Sequence, residues 1–293
     1  MNAIEVEATK SERGENFPVA SLLLAPERRA PILAYYRFAR AADDVADDAS
    51  LSPGEKILRL DAFEATLLGK SEAVEAAKPL RAALAADPTL EARHALDLLT
   101  AFRLDATKTR YADFAELMDY CAFSAAPVGR FVLNAHGVGE AVWPASDALC
   151  SALQIVNHMQ DCGLDYRRID RVYLPLDLLA DCGATVGDLG APKASPGLRA
   201  ALLRLAEATD PLIALGSTLP PELAELRLRL EIGAIAALAR RLNDILKRRD
   251  PLSEETHLSK PEALLVAGLG AARVLLRAPA AAPRTAQARG DAA

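Results

Sequence analysis

The stretch Tyr36-Arg37-Phe38-Ala39-Arg40-Ala41-Ala42-Asp43-Asp44-Val45-Ala46-Asp47-Asp48 decides how this chain of 293 residues is read. No proline or glycine interrupts it, and its polar residues recur at three and four positions, which predicts a helix. At roughly 100° per residue, Tyr36, Arg40, Asp43 and Asp47 fall within about 60° of one another and form one stripe. Asp44 and Asp48 stand roughly 100–140° from Asp43, which predicts a supporting or solvent-facing place for them. Like charges at i,i+4 cost roughly 0.2–0.5 kcal/mol per pair, so Asp43/Asp47 and Asp44/Asp48 oppose the helix unless a cation sits between them. Taken alone, the stripe could also be a solvated acidic helix end.

A second cluster, Gln154-Ile155-Val156-Asn157-His158-Met159-Gln160-Asp161-Cys162-Gly163-Leu164-Asp165, changes that balance. Gln154, Asn157, Asp161 and Asp165 lie within about 80° on the same wheel, in a helix otherwise written in apolar residues. An inward polar stripe satisfied by neighbouring helices is the structural alternative, and two such stripes in one chain make a shared site the better reading. Two facing aspartate pairs, with Asp43 and Asp47 opposite Asp161 and Asp165, suit Mg²⁺. That ion takes oxygen ligands, keeps waters and is held by one or two carboxylates plus substrate phosphate. The expected ligand is a diphosphate. Arg37, Arg40, Arg168 and Arg171, with Lys108 and Arg110, are candidates for its anion clamp. Metal-bound diphosphate leaves readily, so ionisation to a carbocation is the favoured chemistry.

The rest of the chain suits an all-α protein. Apolar residues make up 51% and aromatic residues 5%, and valine and isoleucine together number 22, which starves strands of the residues they favour. Helices are expected over about 27–49, 53–68, 71–86, 88–105, 111–135, 146–167, 195–215, 221–248 and 260–276, with Pro79 kinking the third. Ser52-Pro53 and Asp87-Pro88 read as helix starts. No linker divides the chain, so one domain over 1–293 is expected, with an ordered core over about 15–277 and a low-complexity tail over 278–293 that frays. Net charge is −6 and no basic block is interleaved with aromatics, which argues against a nucleic-acid partner. Cys121, Cys150, Cys162 and Cys182 form no C-x-x-C pair, as in a reduced cytoplasmic protein. The acidic N-terminus is unlike a secretory signal, and the apolar run over 263–272 is too short to span a bilayer.

At these motifs the sequence resembles the squalene/phytoene synthase family. Tyr36 to Asp47 is similar to that family's Tyr-x-x-x-Arg-x-x-Asp-Asp-x-x-Asp, and Gln154 to Asp165 to its Gln-x-x-Asn-x-x-x-Asp-x-x-x-Asp. Arg171-Val172-Tyr173-Leu174-Pro175 follows as in the family, and Tyr120 to Gly129 matches its Tyr-Cys…Val-Gly helix. The resemblance covers about 17–246. It implies a single isoprenoid-synthase helical bundle around a central cavity, with Mg²⁺ bridging Asp43, Asp47, Asp161 and Asp165 at the mouth and prenyl chains below. By the same resemblance Tyr36, Arg40, Gln154 and Asn157 line the diphosphate and cation region, and Arg171 and Tyr173 close it. Glu15 to Ser21, Ser124 to Arg130 and Met159-Gln160-Asp161 look like the branch that converts presqualene diphosphate and water to hydroxysqualene and diphosphate in hopanoid biosynthesis. Gln160 stands where many relatives carry arginine. Gln160 or Asn157 is therefore the expected holder of the quenching water.

Neighbouring functions are weighed beside this one. Condensation of two farnesyl diphosphates to presqualene diphosphate or another C30 product is the close alternative, and a non-catalytic helical assembly protein is the distant one. Head-to-tail elongation and terpene cyclisation share the first motif but not the second in this form. No dinucleotide fingerprint follows a strand. Expected partners are the prenyl diphosphate, an upstream presqualene diphosphate synthase and a downstream oxidoreductase. Both substrate and product are greasy, so peripheral contact with the inner face of the cell membrane is expected. His94, His136, His158 and His257 read as structural, with His158 at the edge of the polar stripe. Trp143 and the cysteines read as packing, and Phe38 as core or as an aromatic face for a cation.

Overall fold

A computed structural model describes residues 26–276. The stretch Glu15 to Ser21 and the tail from Ala278 lie outside the described residues. The helices are α1 (Pro26–Asp47), α2 (Pro53–Leu67), α3 (Lys78–Ala86), α4 (Arg93–Asp105), α5 (Phe114–Ser124) and α6 (Ala126–Ala135). They continue with α7 (Trp143–Ile169), α8 (Leu176–Asp181), α9 (Pro196–Gly216), α10 (Leu219–Glu222), α11 (Leu226–Leu246) and α12 (Lys260–Leu276). Among the described residues there is no strand, and a lone bridge joins Arg110 to Val172.

Local chemistry explains most boundaries. Ser52 caps α2 in a reciprocal box with Glu55 and Pro53 opens the helix, while Ser195 and Pro196 open α9 in the same way. The helix expected over 111–135 is broken at Ala125, whose backbone leaves the helical region, and Pro127 opens α6 just beyond. Proline has no N–H to give the preceding turn and its ring crowds that turn, so one helix becomes two. Pro79 likewise starts α3 after a short 3₁₀ turn over Glu75–Ala77 instead of kinking a longer helix. The short α8 was not expected. It follows a strap over 170–175, and the amides of Val172 in the strap and of Leu176 and Asp177 in the first turn of α8 bond to the Thr109, Tyr111 and Ala112 carbonyls.

α1 packs on α2, α3, α4 and α6, while α7 packs on α5, α6, α9 and α11, and α12 lies along α11. Two apolar clusters result. One gathers Phe38, Phe63, Leu98 and Phe131, and the other Leu117, Ile155, Met159 and Leu202. Phe38 is fully buried against Phe63, which makes it core and leaves it no cavity face. Both clusters touch α6 or α7, and α1 and α7 each send residues to a common space. No described helix is long and apolar enough to cross a membrane.

Candidate active site

That space is a cavity of about 210 Å³ bounded by α1, α6, α7 and α11. Tyr36 and Ala39 enter it from α1, and Gln154 and Asn157 from α7, among mostly apolar neighbours such as Ile32, Leu149, Leu153 and Ile235. The first residues of both stripes therefore line one cavity. From there each stripe climbs its helix in chain order, at 1.5 Å per residue.

The last carboxylate of the α1 stripe meets Arg171, two residues beyond the end of α7. The α7 helix closes on Asp170 in the left-handed region (φ 51°), and the Arg171 amide donates to the Asp165 carbonyl at 3.3 Å. The Arg171 guanidinium then reaches α1. It donates to the Asp47 carboxylate at 2.7 Å, to the Ala46 carbonyl at 3.3 Å and to the Asp105 carbonyl at 3.1 Å. Lys56 adds a second cation on the Ala46 carbonyl at 2.7 Å, which suits the negative end of a helix. Burial works against the charge of Arg171, but Asp105, Tyr173 and Asp47 outweigh it and hold its pKa above the ordinary arginine range.

Beneath this arginine lies a buried polar centre. Tyr120 and Tyr173 donate to the two oxygens of the Asp105 carboxylate at 2.8 and 3.1 Å, and Arg171 donates to the Tyr173 hydroxyl at 3.1 Å. Burial pushes the Asp105 carboxyl up to about 6, while Arg171 and both tyrosines hold it down from a higher value. His158 stacks on Tyr173 with ring centroids 3.5 Å apart. Burial, with Arg171 pressing the same way, pushes its imidazole down to about 3, so it is a neutral packing ring at neutral pH.

Arg40 organises the other carboxylates of α1. It donates to Asp43 one turn on and to Asp44 at 2.8 Å. Asp44 is thereby a buried partner of Arg40, and Asp48 caps the following turn through the Ser50 amide and hydroxyl. Burial pushes the Asp43 carboxyl up to about 8, and the charge of Asp47 adds to the rise while Arg40 opposes it. Yet 30% of the Asp43 side chain is open to solvent.

Several expected site residues stand elsewhere. Gln160 is buried and donates to the Thr256 carbonyl at 2.9 Å, and it is not among the residues lining the cavity. Its place beside the loop between α11 and α12 does not suit the holder of a quenching water. Tyr173 supports Asp105 and Arg171 and does not line the cavity. Arg37 and Arg168 are on exposed positions, Lys108 pairs with Glu116, and Arg110 pairs with Asp170.

The squalene/phytoene synthase family model matches residues 11–262 of this chain. The chain belongs to the squalene/phytoene synthase family. It is 51% identical over 259 residues to a hydroxysqualene synthase of Sinorhizobium fredii, covering 88% of each protein. A hydroxysqualene synthase of Rhodopseudomonas palustris is 50% identical over 270 residues, covering 92% of each. The crystal structure of a squalene synthase from Alicyclobacillus acidocaldarius is 31% identical with a TM-score of 0.67, covering 80% of this chain and 91% of that one. A dehydrosqualene synthase structure, 20% identical with a TM-score of 0.77 over 91% of this chain, shares the fold.

Two buried carboxylates of this family member are not marked by the periodicity of the sequence. Asp105 closes α4 with no periodic partner, and only the fold brings Arg171 and two tyrosines to it. Glu231 lies in the apolar run Leu228 to Ala239 of α11 and lines the cavity. The two charges of that otherwise apolar run, Arg229 and Glu231, were a readable signal.

Proposed function

We propose that this protein ionises presqualene diphosphate and lets water capture the rearranged cation, giving hydroxysqualene and diphosphate. The observation that supports the reading is that Tyr36 of the first motif and Gln154 and Asn157 of the second line one cavity, while Arg171, just past the second, binds Asp47 of the first. Strong identity to hydroxysqualene synthases over most of the chain supports the product.

Magnesium fits the donors. Asp43, Asp47, Asp161 and Asp165 offer hard oxygens, and Asp43 is driven toward protonation by burial and by Asp47, an imbalance that a divalent cation relieves. Among the described residues no group of three or more His, Cys, Asp or Glu side chains stands close enough to hold an ion by itself, and magnesium is commonly held by one or two carboxylates with water and substrate phosphate. When bound, the metal supplies neutralisation of the charge that develops on departing diphosphate. The chain's own groups do the rest. Arg40 and Arg171 place cations beside the carboxylates, Gln154 and Asn157 offer amides to the diphosphate end of the cavity, and the apolar wall receives the prenyl chains. Tyr36 presents an aromatic ring to the cation, worth on the order of 1–2 kcal/mol where water is excluded. The enclosing wall limits water at the carbon until rearrangement is complete.

Exposed Leu264, Leu265 and Leu269 give α12 an apolar outer face, by which we infer peripheral contact with a membrane that stores such greasy substrates. A prenyl synthase upstream and an oxidoreductase downstream follow from the chemistry of substrate and product. The test is a product assay. With Mg²⁺ and presqualene diphosphate the purified protein should give hydroxysqualene by mass spectrometry and one diphosphate per turnover. Consumption of farnesyl diphosphate alone would favour the condensing reaction and overturn the reading.

A further inference from the structure

A second cavity, of about 130 Å³, is bounded by α11, α12 and the residues around α10. Ile232 and Ile235 of α11 line the first cavity while Gly233 and Ala237 line this one, so the helix is a wall of both. Arg240 of α11 and Arg273 of α12 line the second cavity together with the buried Arg229, and among the described residues no acidic side chain does. A methyl group on Gly233 would stand 2.3 Å from the Val274 side chain, so the bare glycine lets α12 approach and brings both guanidinium groups to one pocket. Arg240 donates to the Ser217 hydroxyl at 3.4 Å, and among the described residues neither Arg240 nor Arg273 has an acidic partner.

The outer flank of α12 continues from this pocket. At roughly 100° per residue, Leu265, Leu269, Arg273 and Leu276 fall within about 80° of one another. The three leucines are 63%, 53% and 86% exposed. Glu262 shares that flank, but it stands at the start of the helix and is paired with Arg241 at 2.6 Å. Cationic groups beside exposed leucines match the layering of an anionic lipid leaflet, in which phosphate lies just outside hydrocarbon. A net charge of −6 opposes approach to such a surface, so the attraction has to come from a local basic site. We propose that the pocket between Arg240 and Arg273 takes the phosphate of an anionic phospholipid while Leu265, Leu269 and Leu276 enter the leaflet beside it, an assignment that rests on the reading of α12 as the membrane-facing helix. Guanidinium groups suit that ligand because their N–H donors meet phosphate oxygens in pairs. Since α11 walls both cavities, docking in this way sets the reaction cavity next to the lipid that carries its substrate.

Co-sedimentation of the full chain with phosphatidylcholine vesicles, prepared with and without phosphatidylglycerol, tests the assignment. The unmodified protein should bind the vesicles that contain phosphatidylglycerol at least tenfold more tightly, and the preference should shrink as salt is raised. Arg240→Gln combined with Arg273→Gln should remove the preference, and R240K/R273K should keep part of it. Leu265→Ser combined with Leu269→Ser should weaken binding to both kinds of vesicle. Equal binding of folded R240Q/R273Q and the unmodified protein to phosphatidylglycerol vesicles overturns the assignment. So does binding of inorganic phosphate by calorimetry, lost in R240Q/R273Q, with no preference between the vesicles, because the pocket then serves a soluble anion. Binding to both kinds of vesicle without preference overturns the phosphate site and leaves the apolar contact standing, whereas binding to neither overturns the membrane reading along with it.

Discussion

The Arg171 guanidinium and the Asp47 carboxylate are 124 residues apart in sequence and 2.7 Å apart in space. The same arginine donates its backbone N–H to the Asp165 carbonyl and packs over the buried Asp105. One side chain thus fixes the last carboxylate of the first motif against the end of the helix that carries the second.

Removing Arg171 should therefore cost stability as well as activity. Arg171→Ala leaves Asp105 buried without its cation, and losing one partner of a buried pair costs roughly 3–5 kcal/mol. Urea unfolding should show a loss of that order. Adding Asp105→Asn in the Arg171→Ala background should recover part of it, because the uncompensated charge is gone. Additive losses in that double-mutant cycle would contradict the coupling.

Without metal, Asp43 should weaken the fold as pH rises. Its carboxyl is pushed up to about 8, above its ordinary value of 3.8, chiefly by burial and then by Asp47. The native state then binds more protons than the unfolded chain across that window, so stability falls between pH 4 and 8. Asp43→Asn should raise the melting temperature of metal-free protein at pH 8 while abolishing Mg²⁺-dependent diphosphate release. For the same reason Mg²⁺ affinity should rise with pH up to about 8.

His94 predicts the opposite slope. Burial is the main cause that pushes its imidazole down to about 4, with Arg93 and Arg130 acting in the same direction and Glu91 against it. Its Nε2 faces the Asn134 amide nitrogen at 3.1 Å, so the ring accepts there and a second ring proton would be opposed. The native state binds fewer protons than the unfolded chain between about pH 6.5 and 4, so stability falls as pH falls through that window, by about 3 kcal/mol in all. His94→Gln should flatten the slope of unfolding free energy against pH in that range.

The contact of α12 with α11 depends on two glycines. A methyl group on Gly270 would stand 2.5 Å from the Gly233 carbonyl oxygen and 2.6 Å from the Ala237 Cβ. Alanine in a helix normally gains about 1 kcal/mol over glycine. Here the clash is with backbone, and overpacking costs about 1–3 kcal/mol, so Gly270→Ala should be net destabilising in urea. If α12 is the membrane-facing element, the same variant should also weaken vesicle co-sedimentation.

Much of this site was legible in the sequence because helical periodicity is a local property. The 3.6-residue period placed Tyr36, Arg40, Asp43 and Asp47 on one face and Gln154, Asn157, Asp161 and Asp165 on another, and the cavity lining includes residues from both. What escaped depends on tertiary contact. Asp105 gains its meaning from Arg171, Tyr120 and Tyr173, which lie 15 to 68 residues away. Gln160 sits close to the second stripe on the wheel, yet a carbonyl from the loop before α12 holds its amide. The break at Ala125 follows from Pro127, whose effect on the preceding turn is masked in the sequence by the apolar run around it.

A diphosphate site that spans both aspartate motifs requires that they grip the same ions. Anomalous diffraction from crystals grown with Mn²⁺ in place of Mg²⁺, together with inorganic diphosphate, tests it directly. The account predicts metal peaks between the two motifs, shared by Asp43 or Asp47 on one side and Asp161 or Asp165 on the other. Peaks confined to a single motif, with the other pair of aspartates left without metal, would contradict it.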